Sequence, residues 1–99
     1  MMLGPLLSAI VDGMPRISHF FGITIAMFHN DHAPPHFHAR YSGCRGTIRI
    51  DRPGVLTGDL PPRVLGLVID WASQHRAELL HDWDLARRGL PLEAIAPLE

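Results

Sequence analysis

The hydrophobic pattern of this 99-residue chain changes its period at one point, the Pro61-Pro62 pair. Before it, apolar and polar residues alternate, most clearly from His36 to Tyr41 and from Gly46 to Ile50. Alternation with a period of two is typical of strands that bury one face. After it, apolar residues recur at helical spacing in two stripes, Val64 to Ala72 and Leu79 to Ala86. The chain is therefore expected to place its strands first and its helices last, which predicts an α+β fold.

Turn signals divide the first half of the chain into a small number of strands. The apolar, β-branched segment Ile23 to Phe28 precedes the two alternating segments, and Val55 to Thr57 offers a short edge strand. The prediction is a three- or four-stranded antiparallel meander followed by two C-terminal helices packed on one sheet face. A single helix over residues 62–88 would be long for so small a domain, so a bend is expected near Gln74 to Arg76.

The alternation also predicts which residues share a sheet face. The helices are expected to cover the face that carries Phe37, Ala39, Ile48 and Ile50. The opposite face is expected to be open and to carry His36, His38, Arg40 and Arg49. Replacing the two histidines should then leave stability nearly unchanged, since exposed side chains contribute little to it.

Composition restricts the class of protein. The single cysteine, Cys44, excludes an internal disulfide and a cysteine-rich metal site, and it makes a reducing cytoplasm the expected location. No apolar run approaches the roughly 18 residues that span a bilayer, so no membrane association is expected. Met14-Pro15-Arg16 has the character of a start. Residues 1–13 are therefore expected to be an extension, flexible or produced by an upstream start, and residues 14–99 a single domain.

Four of the seven histidines lie within ten residues, in the run His29-Asn30-Asp31-His32-Ala33-Pro34-Pro35-His36-Phe37-His38. Imidazole binds metal ions and transfers protons near neutral pH. On a strand, His36 and His38 point to the same face with about 6.5–7 Å between their Cα atoms. They could bind zinc or another divalent transition metal, with His32, His29 or Asp31 as the third ligand. The position of Asn30 and Asp31 before the two prolines favours a turn-forming role over that of a catalytic acid.

The same histidines allow two other interpretations. They could act as acid and base on a phosphodiester, with Arg40 and Arg49 as the phosphate-binding or anion-binding residues. They could also be the solvated polar face of a half-buried sheet. In that case the chain could be an interaction module that uses Trp71, Trp83 and the sheet edge, with His75 as a core or bend residue.

Several motifs together resemble one small prokaryotic family, domain of unknown function 4160. They are Met14-Pro15-Arg16-Ile17-Ser18, Phe21-Gly22-Ile23, the string from Asn30 to His38, Leu60-Pro61-Pro62-Arg63, and the helical segment with Trp71, His75-Arg76, Glu78-Leu79-Leu80 and Trp83. The resemblance covers about residues 14–98. Members often lie beside a second small uncharacterised protein, and the pair has been suggested to be a toxin–antitoxin module. The resemblance implies a partner but no activity, so His32, His36 and His38 carry over as the family motif.

Three functional hypotheses follow. The leading one is a toxin–antitoxin component that acts on or binds RNA. If it is an enzyme, it is expected to be a small ribonuclease that uses His32, His36 and His38 as catalytic residues and needs no cofactor. The second is a metal-binding protein or metal-dependent enzyme built on the same three histidines. The third is a protein-interaction module with structural histidines. The expected partners are a small cognate protein encoded next to this one and RNA, and a homodimer is left open.

Overall fold

A computed structural model describes residues 10–11 and 14–99 of the chain. Its strands and helices follow in the order β1 (Ile10–Val11), β2 (Met14–Phe20), β3 (Ile23–Ala26), β4 (His36–Tyr41), β5 (Cys44–Arg49), β6 (Gly54–Gly58), α1 (Pro62–Gln74) and α2 (Arg76–Arg87). Neighbouring strands pair antiparallel in chain order. Most of the expected N-terminal extension, residues 1–9 and 12–13, lies outside the described residues, whereas Ile10–Val11 pairs with the start of β2.

The α+β order is confirmed, but the predicted number of strands is wrong. Five antiparallel strands, β2 to β6, form the meander, and the two-residue β1 extends it at the β2 edge. The strand without a sequence signal is β2. A register shift between Arg16 and Ser18 interrupts its pairing with β3 and leaves both Ile17 and Ser18 buried. Such a bulge breaks the alternation of buried and exposed residues by which a strand is recognised in sequence.

Two helices close the core over one sheet face. Pro62 occupies the first turn of α1, where its missing N–H costs nothing, and the two helices meet at His75. The central core residue is Trp71, whose ring centroid lies 5.3 Å from that of Phe20 and 5.8 Å from that of Phe37. Its indole N–H donates a hydrogen bond of 2.8 Å to the carbonyl of Ala96, which holds the C-terminal segment against the helices.

The face that was expected to be open is partly covered, so the prediction of its exposure is wrong for His36. This residue is 6% exposed, and its ring centroid lies 5.2 Å from that of Trp83 on α2. Side chains at His38, Arg40 and Arg49 are partly exposed. The cover comes from two elements that no strand pattern encodes: α2, and the loop of residues 27–35 that joins β3 to β4.

Candidate functional site

The histidine-rich loop between β3 and β4 is held at several points by hydrogen bonds. The Asn30 N–H donates to the carbonyl of Ala86 over 2.8 Å, and His29 Nε2 lies 3.1 Å from the carbonyl oxygen of Leu90. Asn30 has a positive φ of 55°, a conformation that asparagine tolerates better than most residues. At the other end of the loop, Pro35 accepts a hydrogen bond from the N–H of Ile50. The loop is therefore anchored both to α2 and to the sheet.

Three side chains converge where this loop crosses the start of β4. Asp31 Oδ2 lies 2.9 Å from His36 Nε2 and 3.6 Å from His38 Nε2. One ligand atom from each residue lies within 4.8 Å of the others. Positions 36 and 38 share a face because they are two residues apart on one strand, and their ring centroids are 5.3 Å apart. We call Asp31, His36 and His38 the triad.

The orientation of the His36 ring follows from its two contacts. Its Nδ1 lies 2.7 Å from the carbonyl oxygen of Pro34, and because a carbonyl only accepts, Nδ1 must carry a hydrogen and donate it. In the neutral ring, Nε2 then presents a lone pair to the Asp31 carboxylate. Two acceptors at 2.9 Å repel each other unless a proton or a metal ion lies between them. A metal-binding histidine commonly donates its other ring N–H to a backbone carbonyl, as His36 does here.

His38 completes the triad with a nitrogen that lacks a hydrogen-bond partner. Its Nε2 is buried and bonds to no group in the described part of the chain. Burial lowers the pKa of His38, Asp31 acts to raise it, and the neighbouring His36 and Arg45 lower it further, so that the net shift is downward. A lowered pKa keeps the imidazole neutral at physiological pH, which is the form that binds metal ions.

The Asp31 carboxyl is held in its ionised form. Burial acts to raise the pKa of Asp31, but the hydrogen bond from the backbone N–H of His32 and the contacts with His36 and His38 outweigh it, so that the pKa is lowered. The triad therefore offers one carboxylate and two imidazoles. This is a donor set that suits zinc and iron in their divalent states, among other transition metals.

The other predicted site residues lie around the triad without joining it. The His32 side chain is 90% exposed, and its Nδ1 lies 3.0 Å from Asp31 Oδ1, whereas His36 and His38 approach Oδ2. The guanidinium of Arg49 is bound to Asp51 through two contacts of 2.6 and 3.1 Å, which lower the pKa of Asp51 to about 2. Arg40 lies on β4 directly across from Arg45 of β5.

The structure brings Asp31 together with His36 and His38, although its sequence context favoured a turn-forming role. The signal that could have found it is its position five residues before His36 in a loop that must fold back over β4. Arg45 was not predicted as a site residue. It could have been found only from the β4–β5 register, which places it beside Arg40.

The triad forms one wall of a surface groove. The groove has a volume of about 380 Å³ and is lined, besides the triad, by Phe28, His32, Pro34, Thr47, Leu56 and Thr57. The rings of Phe28 and His38 meet edge to face with centroids 4.9 Å apart. A small molecule or an extended segment of a polymer can therefore approach the triad from this side.

Comparison with known proteins places the chain in a family. The family model described as Domain of unknown function (DUF4160) matches residues 22–84, a range that contains the triad and most of the two helices. The chain belongs to this family. No curated protein and no solved structure matches it. Neither helix of the described chain has the length and apolar character that a membrane crossing requires.

Proposed function

We propose that this protein binds a divalent transition-metal ion through Asp31, His36 and His38, and that the bound ion serves chemistry in the adjoining groove. The observation that carries the proposal is the approach of both imidazole Nε2 atoms to the same oxygen, Asp31 Oδ2. The Pro34 carbonyl fixes the tautomer that leaves the lone pair of His36 Nε2 available to a metal ion, and His38 Nε2 has no competing partner among the described residues.

Three protein ligands leave at least one coordination position for water or substrate, which is the arrangement of catalytic rather than structural zinc sites. When bound, the ion would lower the pKa of a coordinated water or polarise a substrate oxygen. Thr47 and Thr57, which face each other across β5 and β6, supply hydroxyl groups in the same groove. A metal-dependent hydrolase of a small or extended polar substrate is the enzyme class that these features support.

The test is a metal titration of protein purified without a histidine tag and stripped with a chelator. We expect the wild type to bind one equivalent of Zn²⁺ or Co²⁺, with a visible Co²⁺ absorption typical of low coordination number. Asp31→Asn and His38→Ala should each weaken binding at least tenfold. His19→Ala is the matched control, because His19 is an exposed strand histidine outside the groove that contacts Thr24.

Two results would contradict the proposal. One is a wild-type protein that does not bind one equivalent of Zn²⁺ or Co²⁺. The other is a His38→Ala variant that binds as tightly as wild type and His19→Ala.

A second candidate is the metal-free, RNA-acting toxin–antitoxin component that the family resemblance implies. The observation that favours it is the Arg40–Arg45 pair, which lies next to the histidines on the same face, since Arg40 follows His38 by two residues. An acid, a base and a cation near the phosphate are sufficient for RNA cleavage. Growth arrest on induction that is relieved by the neighbouring gene and abolished by the His36→Ala/His38→Ala double variant would support it. RNA cleavage that persists in excess chelator would separate it from the metal-dependent alternative.

A further inference from the structure

A second cavity lies between α2 and the C-terminal segment, and none of its residues lines the groove of the triad. Its volume is about 240 Å³, and it is lined by Ala77, Glu78, His81, Asp82, Glu93, Ala94 and Ile95. This volume is below the roughly 300–1,000 Å³ of pockets that take drug-sized ligands. The cavity therefore suits a single small group or one side chain.

Asp82 is the buried charged residue of this cavity. It is 1% exposed, and its Oδ1 accepts a hydrogen bond of 2.8 Å from the backbone N–H of Glu93. Its second oxygen, Oδ2, is buried and has no hydrogen-bond partner within the described chain. A buried carboxylate oxygen without a partner is costly, because the water that solvated it has not been replaced.

The groups around Asp82 add negative charge, and the residues that line the cavity include no lysine or arginine. Glu78 and Glu93 line the same cavity, and His81 lies 3.5 Å from the Glu93 carboxylate. Burial raises the pKa of Asp82 to about 6, and the charges of Glu93 and Glu78 add to this effect, whereas the Glu93 N–H and His81 act against it. The cavity as a whole is therefore electronegative when Asp82 is ionised.

We infer that this cavity binds an alkylammonium or guanidinium group, whose N–H donors pair with Asp82 Oδ2 at the bottom and whose carbon chain lies against Ala77, Ala94 and Ile95. A partly apolar wall beside one buried acceptor suits such a cation better than a divalent metal ion, which requires several ligand atoms oriented toward one point. In the chain as described, three metal-ligating groups converge at the triad and do not converge here.

The affinity should depend on the ionisation of Asp82. Because its pKa is about 6, only about a tenth of the empty protein carries the ionised carboxylate at pH 5, compared with about nine tenths at pH 7. The affinity for the cation should therefore increase about tenfold from pH 5 to pH 7 and level off above pH 7. The other titratable groups that line the cavity are Glu78, His81 and Glu93.

The experiment is an NMR titration that follows the Glu93 backbone amide, which donates to Asp82. One probe is butylguanidinium, and the second is a glycine-flanked peptide with one arginine. Both should shift the Glu93 amide saturably at pH 7. Tighter binding of the peptide would identify a basic residue of a partner protein as the source of the cation, and equal binding would identify a small free amine or guanidine.

Asp82→Asn is the decisive variant, because it keeps the shape and the oxygen that accepts from Glu93 but removes the charge. It should bind both probes at least tenfold more weakly. Asp84→Asn is the control on the same helix, since Asp84 is exposed and paired with Arg88 at 3.0 Å, and it should bind like wild type. A wild type without a saturable shift, or an Asp82→Asn variant that binds equally well, would overturn the inference. Neither result bears on the metal titration of the triad.

Discussion

Replacing His36 by alanine in the metal-free protein should cost about 2–4 kcal/mol of the free energy of unfolding. The ring is 6% exposed and packs against Trp83 and His38, with centroid distances of 5.2 and 5.3 Å. Its removal leaves the Pro34 carbonyl without the ring N–H that it accepts from at 2.7 Å. An unpaired buried polar group costs about 1–3 kcal/mol, and the cavity left in the packing adds to it.

His38→Ala is the matched comparison on the same strand face and should cost only about 1 kcal/mol. The His38 side chain is 23% exposed and its Nε2 has no hydrogen-bond partner among the described residues, so its removal breaks little beyond ring contacts. Urea unfolding of both variants at pH 7 in the presence of a chelator measures the difference. If His36→Ala lost less than about 1 kcal/mol, or no more than His38→Ala, the burial of His36 under α2 would be refuted.

Three further predictions concern stability and can be measured by urea unfolding. The pKa of Asp82 is raised from 3.8 to about 6 in the folded protein. Its contribution to the free energy of unfolding is therefore fully present below pH 3.8 and is lost as the pH rises through 6. Asp82→Asn should stabilise the protein at pH 8 by up to about 3 kcal/mol and should not stabilise it at pH 3.5. Gly58→Ala should lower the free energy of unfolding by at least about 2 kcal/mol, because Gly58 has a φ of 118° and an added Cβ would overlap the carbonyl oxygen of Arg45. In this variant, hydrogen exchange should show that β6 separates from the sheet first. Trp71→Phe should cost about 2–3 kcal/mol, because it removes core volume and the hydrogen bond to Ala96, and an undiminished stability would contradict the central role of this indole.

The order of secondary structure was predictable because it depends on local pattern. The alternation over β4 and the stripes of α1 and α2 follow the periods of the two backbone geometries, and the double proline marks where one gives way to the other. Strand β2 was not predictable in this way. Its bulge between Arg16 and Ser18 exists because of pairing with β3, a partner that the segment itself does not encode.

The candidate site was likewise predictable only in part. That His36 and His38 share a face follows from their spacing on a strand, and sequence alone marked their loop as the place to look. Which third residue joins them depended on how the loop folds back. Anchors at Ala86 and Leu90, more than fifty residues away in the chain, bring Asp31 rather than His32 between the two imidazoles.

Burial was also decided by tertiary structure. The same alternation that placed His36 on a polar face could not show that Trp83 would cover that end of the strand, nor that Asp82 beside it would be enclosed by the C-terminal segment. The period of a sequence determines which side of a strand or helix a residue occupies, because it reflects local backbone geometry. What lies over that side depends on contacts between distant segments, and those contacts set the tautomers, pKa values and cavities on which the chemistry depends.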